Sequence, residues 1–376
     1  MSQDQFGYYK VGQFKTYSKL EAIELHGKTG QHPEWKFNEL EFSLYNWKVE
    51  PSQSLEELYR NRAQQIRDKY DYLVLFFSGG SDSTNILDTF INNNIKLDEC
   101  ATFWAYKGDG SLDSHFSTEP SKVAVPRMQQ HPDIKHRLID LTDITNQVLE
   151  QEANWLYFMN TYFSPNNYVR SHLRRIIPEY RQMIDAGKRV CFIWGAEKPR
   201  LHVVNGKYSV RFQDLVDNTV SPFIQQFARP GEFDELFYWS PDFVDGIAKQ
   251  AHTVKRYLQT GPIDGFYFTD VPRKYNYGYT VRDGKTWHLT ANGINTLLYP
   301  KWDTNTLSVG KPRSTIYSDR DDWFFKTLEY TVAGKNFANG IEKLNNVLTD
   351  TLDGYWLNGT LFNGVKGCLS SPYFLE

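Results

Sequence analysis

Between residues 70 and 200 the chain alternates short apolar runs with segments whose apolar residues recur at helical spacing. The runs LVLFF (73–77), CATFWAY (100–106), KHRLIDL (135–141) and VCFIWG (190–195) have strand length and are rich in β-formers. Helical patterns cover 83–93, about 118–130, about 143–160 and 168–187. This alternation predicts an α/β fold, a mostly parallel sheet with helices on both faces.

The flanks read differently. YYKVGQFKTYS predicts a small hairpin about Gly12, and SKLEAIELHGKTG a short helix stopped by Gly27 or Gly30. PSQSLEELYRNRAQQIRDKY carries Ser54 as a cap candidate, then Leu55, Leu58, Tyr59, Ala63 and Ile66 on one helical face. Past residue 200 the alternation fades. LHVVNGKYSVRF predicts a hairpin turning at Asn205-Gly206. ELFYWSPDFVDGIAKQAHTVKRYL reads as short helical pieces and aromatic loops, with 249–257 amphipathic and no special role for His252. The expected organisation is a small α+β segment over 1–60, an α/β domain over 61–215, and a mostly helical, aromatic-rich region over 216–376.

Composition narrows the classes. A net charge of −3 gives no basic nucleic-acid face, and no apolar run is long enough to span a bilayer. Cys100, Cys191 and Cys368 are dispersed with no CxxC pair. That excludes a zinc or iron–sulfur site built from local cysteine pairs and predicts reduced thiols in a cytoplasmic protein. Aromatic residues make up 16% of the chain, which raises two uses for them, a ring-filled core or stacking on a substrate.

The chemistry concentrates in Ser78-Gly79-Gly80-Ser81-Asp82-Ser83, between the first apolar run and a helix. Two glycines let the backbone turn and approach a ligand without a Cβ in the way. A helix start with its unpartnered N–H groups makes an anion site, to which the hydroxyls of Ser78, Ser81 and Ser83 add donors. Asp82 would repel a phosphate unless a divalent cation lay between them. Mg²⁺ takes one or two carboxylates together with phosphate oxygens, so the loop reads as a cradle for magnesium and a polyphosphate.

SGGSDS after an apolar strand resembles the SGGxDS loop of the N-type ATP pyrophosphatases, the PP-loop or adenine nucleotide alpha hydrolase-like superfamily. The resemblance covers residues 60–200 and comes nearest to the asparagine-synthetase branch. It implies a Rossmann-like core, ATP and Mg²⁺ as ligands, and adenylation of a substrate with release of pyrophosphate. It also implies cations near the loop: Lys198 and Arg200 in WGAEKPR are the candidates for catalysis beside Asp82, which doubles as metal ligand. Lys311 and Arg313, in a second KPR triplet, are candidates for a lid, with a solvated loop as the alternative. Trp104 is either core or part of an adenine pocket.

Position 2 is Ser where glutamine-dependent asparagine synthetases carry a catalytic Cys, so nitrogen is expected from free ammonia, a separate donor or the substrate. Zinc-bearing and thiolating relatives need paired cysteines that this chain lacks. Cys368 lacks the flanking acid and histidine of the sulfonucleotide reductases. Two alternatives stay open: a nucleotide-binding sensor without turnover, and an RNA- or nucleobase-modifying enzyme touching RNA through Arg170, Arg174, Arg175 and Arg181.

Overall fold

The computed structural model describes residues 3–106, 110–111, 118–141, 144, 147, 149–150, 157, 177–195, 200–214, 228–260, 279–282, 285–288, 297–301, 331–349 and 368–376. The chain opens with strands β1 (Tyr8–Val11) and β2 (Phe14–Thr16), an antiparallel hairpin as expected. Helix α1 (Lys19–Thr29) follows, and strand β3 (Glu34–Lys36) then pairs with the other side of β1. Ser18 caps α1, and of the two candidate stops it is Gly30 that ends it, at φ 69°. After α2 (Glu39–Leu44), α3 (Leu55–Lys69) starts on a full capping box in which Ser54 and Glu57 bond each other's backbone N–H.

The central unit runs β4 (Tyr72–Phe76), α4 (Ser81–Asn92), β5 (Glu99–Trp104) and α5 (Val125–Gln129), the last preceded by a π-helical turn over Pro120–Ala124. It continues through β6 (Lys135–Asp140), α6 (Pro178–Asp185) and β7 (Val190–Trp194). The expected helix over 143–160 falls almost wholly outside the described residues, as do 168–176 with Arg170, Arg174 and Arg175; Arg181 lies on α6. The hairpin β8 (Arg200–Val204) and β9 (Lys207–Arg211) turns at Asn205 and Gly206. Both have positive φ, as the two-residue hairpin turn requires.

One strand is not where the sequence pattern puts it. Residues expected to be helical pieces and loops instead supply β10 (Glu232–Leu236), which lies beyond residue 215 yet pairs in parallel with β7. Its sequence, EFDEL, hides a buried strand because three of five residues are acidic. Each of the two central acids has partners instead of water. Asp234 accepts a 2.7 Å bond from Trp194 Nε1, and Glu235 is held by Arg62 at 2.8 Å, by Lys69 at 2.9 Å and by the Tyr70 hydroxyl. Buried charge is tolerated here because it is paired and hydrogen-bonded.

The five-stranded parallel sheet has the order β10-β7-β4-β5-β6 and is flanked by helices, a Rossmann-like arrangement. β4 comes first in the chain and sits in the middle. The chain steps outward through β5 and β6, then returns to lay β7 on the other side of β4. Strand order therefore reverses between β4 and β7, where open sheets of this type part to form a crevice. Leu73, Val74 and Leu75 are inaccessible to solvent, as a central strand covered on both faces demands.

The remaining elements are α7 (Val244–Thr260), hairpin β11 (Tyr279–Arg282) and β12 (Lys285–His288), α8 (Val332–Thr349) and β13 (Tyr373–Phe374), which pairs with β9. Many rings do fill core. Phe42 stacks on Phe212 at 4.6 Å, and Phe212 meets Trp239 at 5.3 Å, joining helix α2 to the chain around β9 and the exit of β10. The same junction holds a buried ion pair, Lys19 to Asp214 at 2.7 Å, with the Tyr9 hydroxyl donating to Asp214. Among the described residues no helix is long and apolar enough to cross a membrane.

Candidate functional site

The loop after β4 is lifted off the sheet by a defined set of bonds. Phe77 N–H still donates to the Ala101 carbonyl at 2.8 Å, one residue past the strand. Its own carbonyl leaves the ladder and accepts instead from the Thr102 hydroxyl at 2.8 Å. With that proton committed, the Thr102 oxygen accepts from His136 Nε2, 2.9 Å away. Burial holds the His136 imidazole below its ordinary range, which favours the neutral donor form this arrangement needs.

Gly79 then takes φ 83°, in the left-handed region. A β-carbon there would meet Ala124 N at 2.9 Å, Glu119 O at 3.0 Å and the Val123 β-carbon at 3.0 Å, so the loop seats directly on the π-helical turn. Gly80 has ordinary φ, but an added β-carbon would come within 3.3 Å of the Glu119 carboxylate and of Ser78 Oγ. A second carboxylate thus stands beside the loop.

Helix α4 begins at Ser81 with Gly80 as N-cap and no side-chain cap, unlike α1 and α3. Its first-turn N–H groups therefore lack the partner that Ser18 and Ser54 supply elsewhere. The serines around it bond one another instead. Ser83 Oγ donates to the Gly80 carbonyl at 3.2 Å, Ser78 and Ser83 hydroxyls are 3.2 Å apart, and Ser78 Oγ accepts from Gly80 N–H at 3.2 Å. Ser78 is exposed and Ser83 buried, so the hydroxyls line the turn from its mouth to its floor.

Asp82 is half-buried in the first turn of α4, where a negative charge is favoured by the helix dipole. Its main-chain carbonyl accepts from the Tyr238 hydroxyl at 2.9 Å, and its carboxylate Oδ1 accepts from the Tyr299 hydroxyl. Burial first, and the Asp82 charge after it, push the Tyr299 phenol well above its ordinary range, so it stays a donor. For Tyr238 burial again leads, followed by Tyr59 and Asp82, with the same direction. Tyr59 completes the group, its ring 5.9 Å from Tyr238 and 6.3 Å from Tyr299.

The donor set can hold a magnesium–polyphosphate. Among the described residues no three His, Cys, Asp or Glu side chains cluster as an all-protein metal cage would. Mg²⁺ shared with a nucleotide needs no such cage, because phosphates and waters fill most of its shell. Asp82, Glu119 beside Gly80, the uncapped start of α4 and the serine hydroxyls are the groups such a ligand calls for.

Of the residues singled out from sequence, Ser78 through Ser83 form one contiguous turn and helix start at the sheet's carboxyl edge. Lys198, Lys311 and Arg313 lie outside the described residues. Arg200 opens β8, its backbone paired with Arg211. Trp104 is half-buried at the end of β5, its ring 6.3 Å from Tyr106. Cys368 is buried, its main chain bonded on both sides to Asp214, a structural setting. The other two cysteines are also buried free thiols. His252, on helix α7, bonds the distant Trp47 carbonyl at 2.9 Å, again a structural bond.

Glu119, Thr102, His136, Tyr238 and Tyr299 were not legible as site residues, and for the tyrosines nothing local marks them. Tyr238 stands 156 residues from Asp82 and Tyr299 stands 217 away. No model of a known protein family matches the chain, and no curated protein matches it.

Proposed function

We propose that the chain is an ATP pyrophosphatase of the PP-loop kind, binding Mg-ATP through Ser78–Ser83 and adenylating a substrate. One observation carries the reading: the glycine turn leaves the central strand β4 at the point where strand order reverses, and opens directly into the uncapped start of α4. A glycine-rich turn serving only to connect strand and helix does not need that address.

In this reading the first-turn amides and serine hydroxyls take the β- and γ-phosphates. Asp82, with Glu119 beside it, would hold Mg²⁺, which when bound would supply charge neutralisation for the departing pyrophosphate. A substrate oxygen forms the new bond to the α-phosphorus. The bond to the α,β-bridging oxygen breaks, and pyrophosphate leaves with its electron pair. Displacement of the adenylate by ammonia or another nucleophile would then make this a ligase; displacement by water, a hydrolase. The test is pyrophosphate release from Mg-ATP by the purified chain against a panel of carboxylates, amides and nucleobases. Release with AMP formation supports the reading, and ADP formation removes it.

A further inference from the structure

We infer that Tyr299 is a positioning residue for the metal-binding carboxylate of this site, an inference that rests on Asp82 being a magnesium ligand. Two tyrosines from distant parts of the chain donate to this one residue, and a third, Tyr59, packs its ring against both. Tyr238 donates to the Asp82 main-chain carbonyl, while Tyr299 alone among them donates to the carboxylate.

The segment bearing Tyr299 is itself anchored. Its Leu298 carbonyl accepts from the Tyr59 hydroxyl at 2.8 Å, and Gln250 Nε2 in turn donates to Tyr59 at 2.9 Å. Leu298 and Tyr299 are each 1% exposed. The phenol is thus held by α3 and α7, not by the loop it bonds. A buried hydroxyl fixed from behind constrains the rotamer of the carboxylate it meets. Mg²⁺ takes a carboxylate through one oxygen in a strict octahedron, so a donor on Oδ1 fixes the direction in which Oδ2, itself 3.5 Å from the Ser81 hydroxyl, is presented. Hydrogen bonds of this outer kind hold metal ligands in place, and their loss costs roughly ten- to a hundredfold in metal affinity.

Helix packing is the other use for such a tyrosine, and the two roles separate by experiment. Mn²⁺ is titrated into the folded chain with a saturating ATP analogue carrying a methylene bridge between the α- and β-phosphorus, and bound metal is read by electron paramagnetic resonance. Y299F keeps the ring and removes the hydroxyl. It should raise the Mn²⁺ dissociation constant about tenfold or more, with metal-free nucleotide affinity unchanged. Y238F, which touches the main chain of Asp82, should leave the Mn²⁺ constant within about twofold.

An unchanged or tighter constant in Y299F, or an equal loss in both variants, overturns the inference. D82N separates the two levels. If D82N binds Mn²⁺ as the wild type does, the reading of Asp82 itself has failed; if D82N loses the metal while Y299F keeps it, the role of Tyr299 alone falls. A 3-fluorotyrosine placed at 299 retains ring and hydroxyl. Its fluorine resonance should move when Mg²⁺ joins the bound analogue, and a stationary resonance also overturns the inference.

Discussion

Gly195 packs against Ser83: a β-carbon built on Gly195 would meet the Ser83 amide nitrogen at 3.1 Å and the Asp82 carbonyl carbon at 3.3 Å. The exit of β7 and the first turn of α4 are therefore in contact, backbone against backbone. Even one methyl group would force these neighbours apart by a few tenths of an ångström.

The two loop glycines should behave differently. Gly79→Ala puts a β-carbon at φ 83° and against the backbone of Glu119 and Ala124, so it should destabilise the fold by at least about 1–2 kcal/mol. Gly80→Ala sits at ordinary φ and should change stability by no more than about 1 kcal/mol, yet weaken nucleotide binding by crowding the helix start. Urea unfolding and calorimetry with Mg-ATP check the pair; equal stability losses would contradict the packing argument.

Asp82→Asn keeps the size of the side chain and should abolish Mg²⁺-dependent ATP cleavage with the circular dichroism spectrum unchanged. Wild-type turnover in that variant would remove the metal role of Asp82. Substrate must be present in the assay, since adenylation needs an acceptor.

The Arg62–Glu235 pair should be a strong determinant of stability. Both side chains are 1% exposed or less, and Arg62 also donates to the carbonyls of Phe237 and Leu236. Arg62→Met leaves Glu235 buried beside Lys69 and Tyr70, and should cost about 3 kcal/mol in the urea midpoint series. A loss below 1 kcal/mol, on the order of an exposed pair, would show that Lys69 suffices as the partner.

Glu99 sets an acid limit at the opposite edge of the sheet. Burial opposes its ionisation, but hydrogen bonds from Tyr180, Arg137 and Tyr72 together hold its carboxyl below the ordinary 4.5. A carboxyl depressed in the fold binds protons more readily when unfolded, so its stabilisation is complete above about pH 4.5 and is lost as the pH falls below that value. Melting temperature should drop through this window in the wild type and less steeply in Glu99→Gln. Parallel profiles would contradict the assignment.

The core was legible where burial is simple. β4, β5 and β7 announce themselves because each is an apolar run of strand length, β6 (KHRLID) does so only by its place in the alternation, and Gly12, Asn205-Gly206 and Ser54 mark the two hairpins and the α3 cap by local chemistry. β10 was not legible, since the buried Asp234 and Glu235 gain their partners from β7 and α3, elements far away in sequence. The site divides the same way. Ser78–Ser83 could be read because the whole turn is contiguous. Tyr299, Tyr238 and Glu119 could not, because each reaches that turn only through the fold that delivers it.

The most direct test is a backbone-amide NMR titration of the folded chain with Mg-ATP. The account predicts that the amide resonances of Gly79 to Thr84 move together and saturably, and that Asp82→Asn removes the Mg²⁺-dependent part of the shift. Resonances of 79–84 that stay fixed while ATP shifts others, or no shifts at all at millimolar nucleotide, would contradict it.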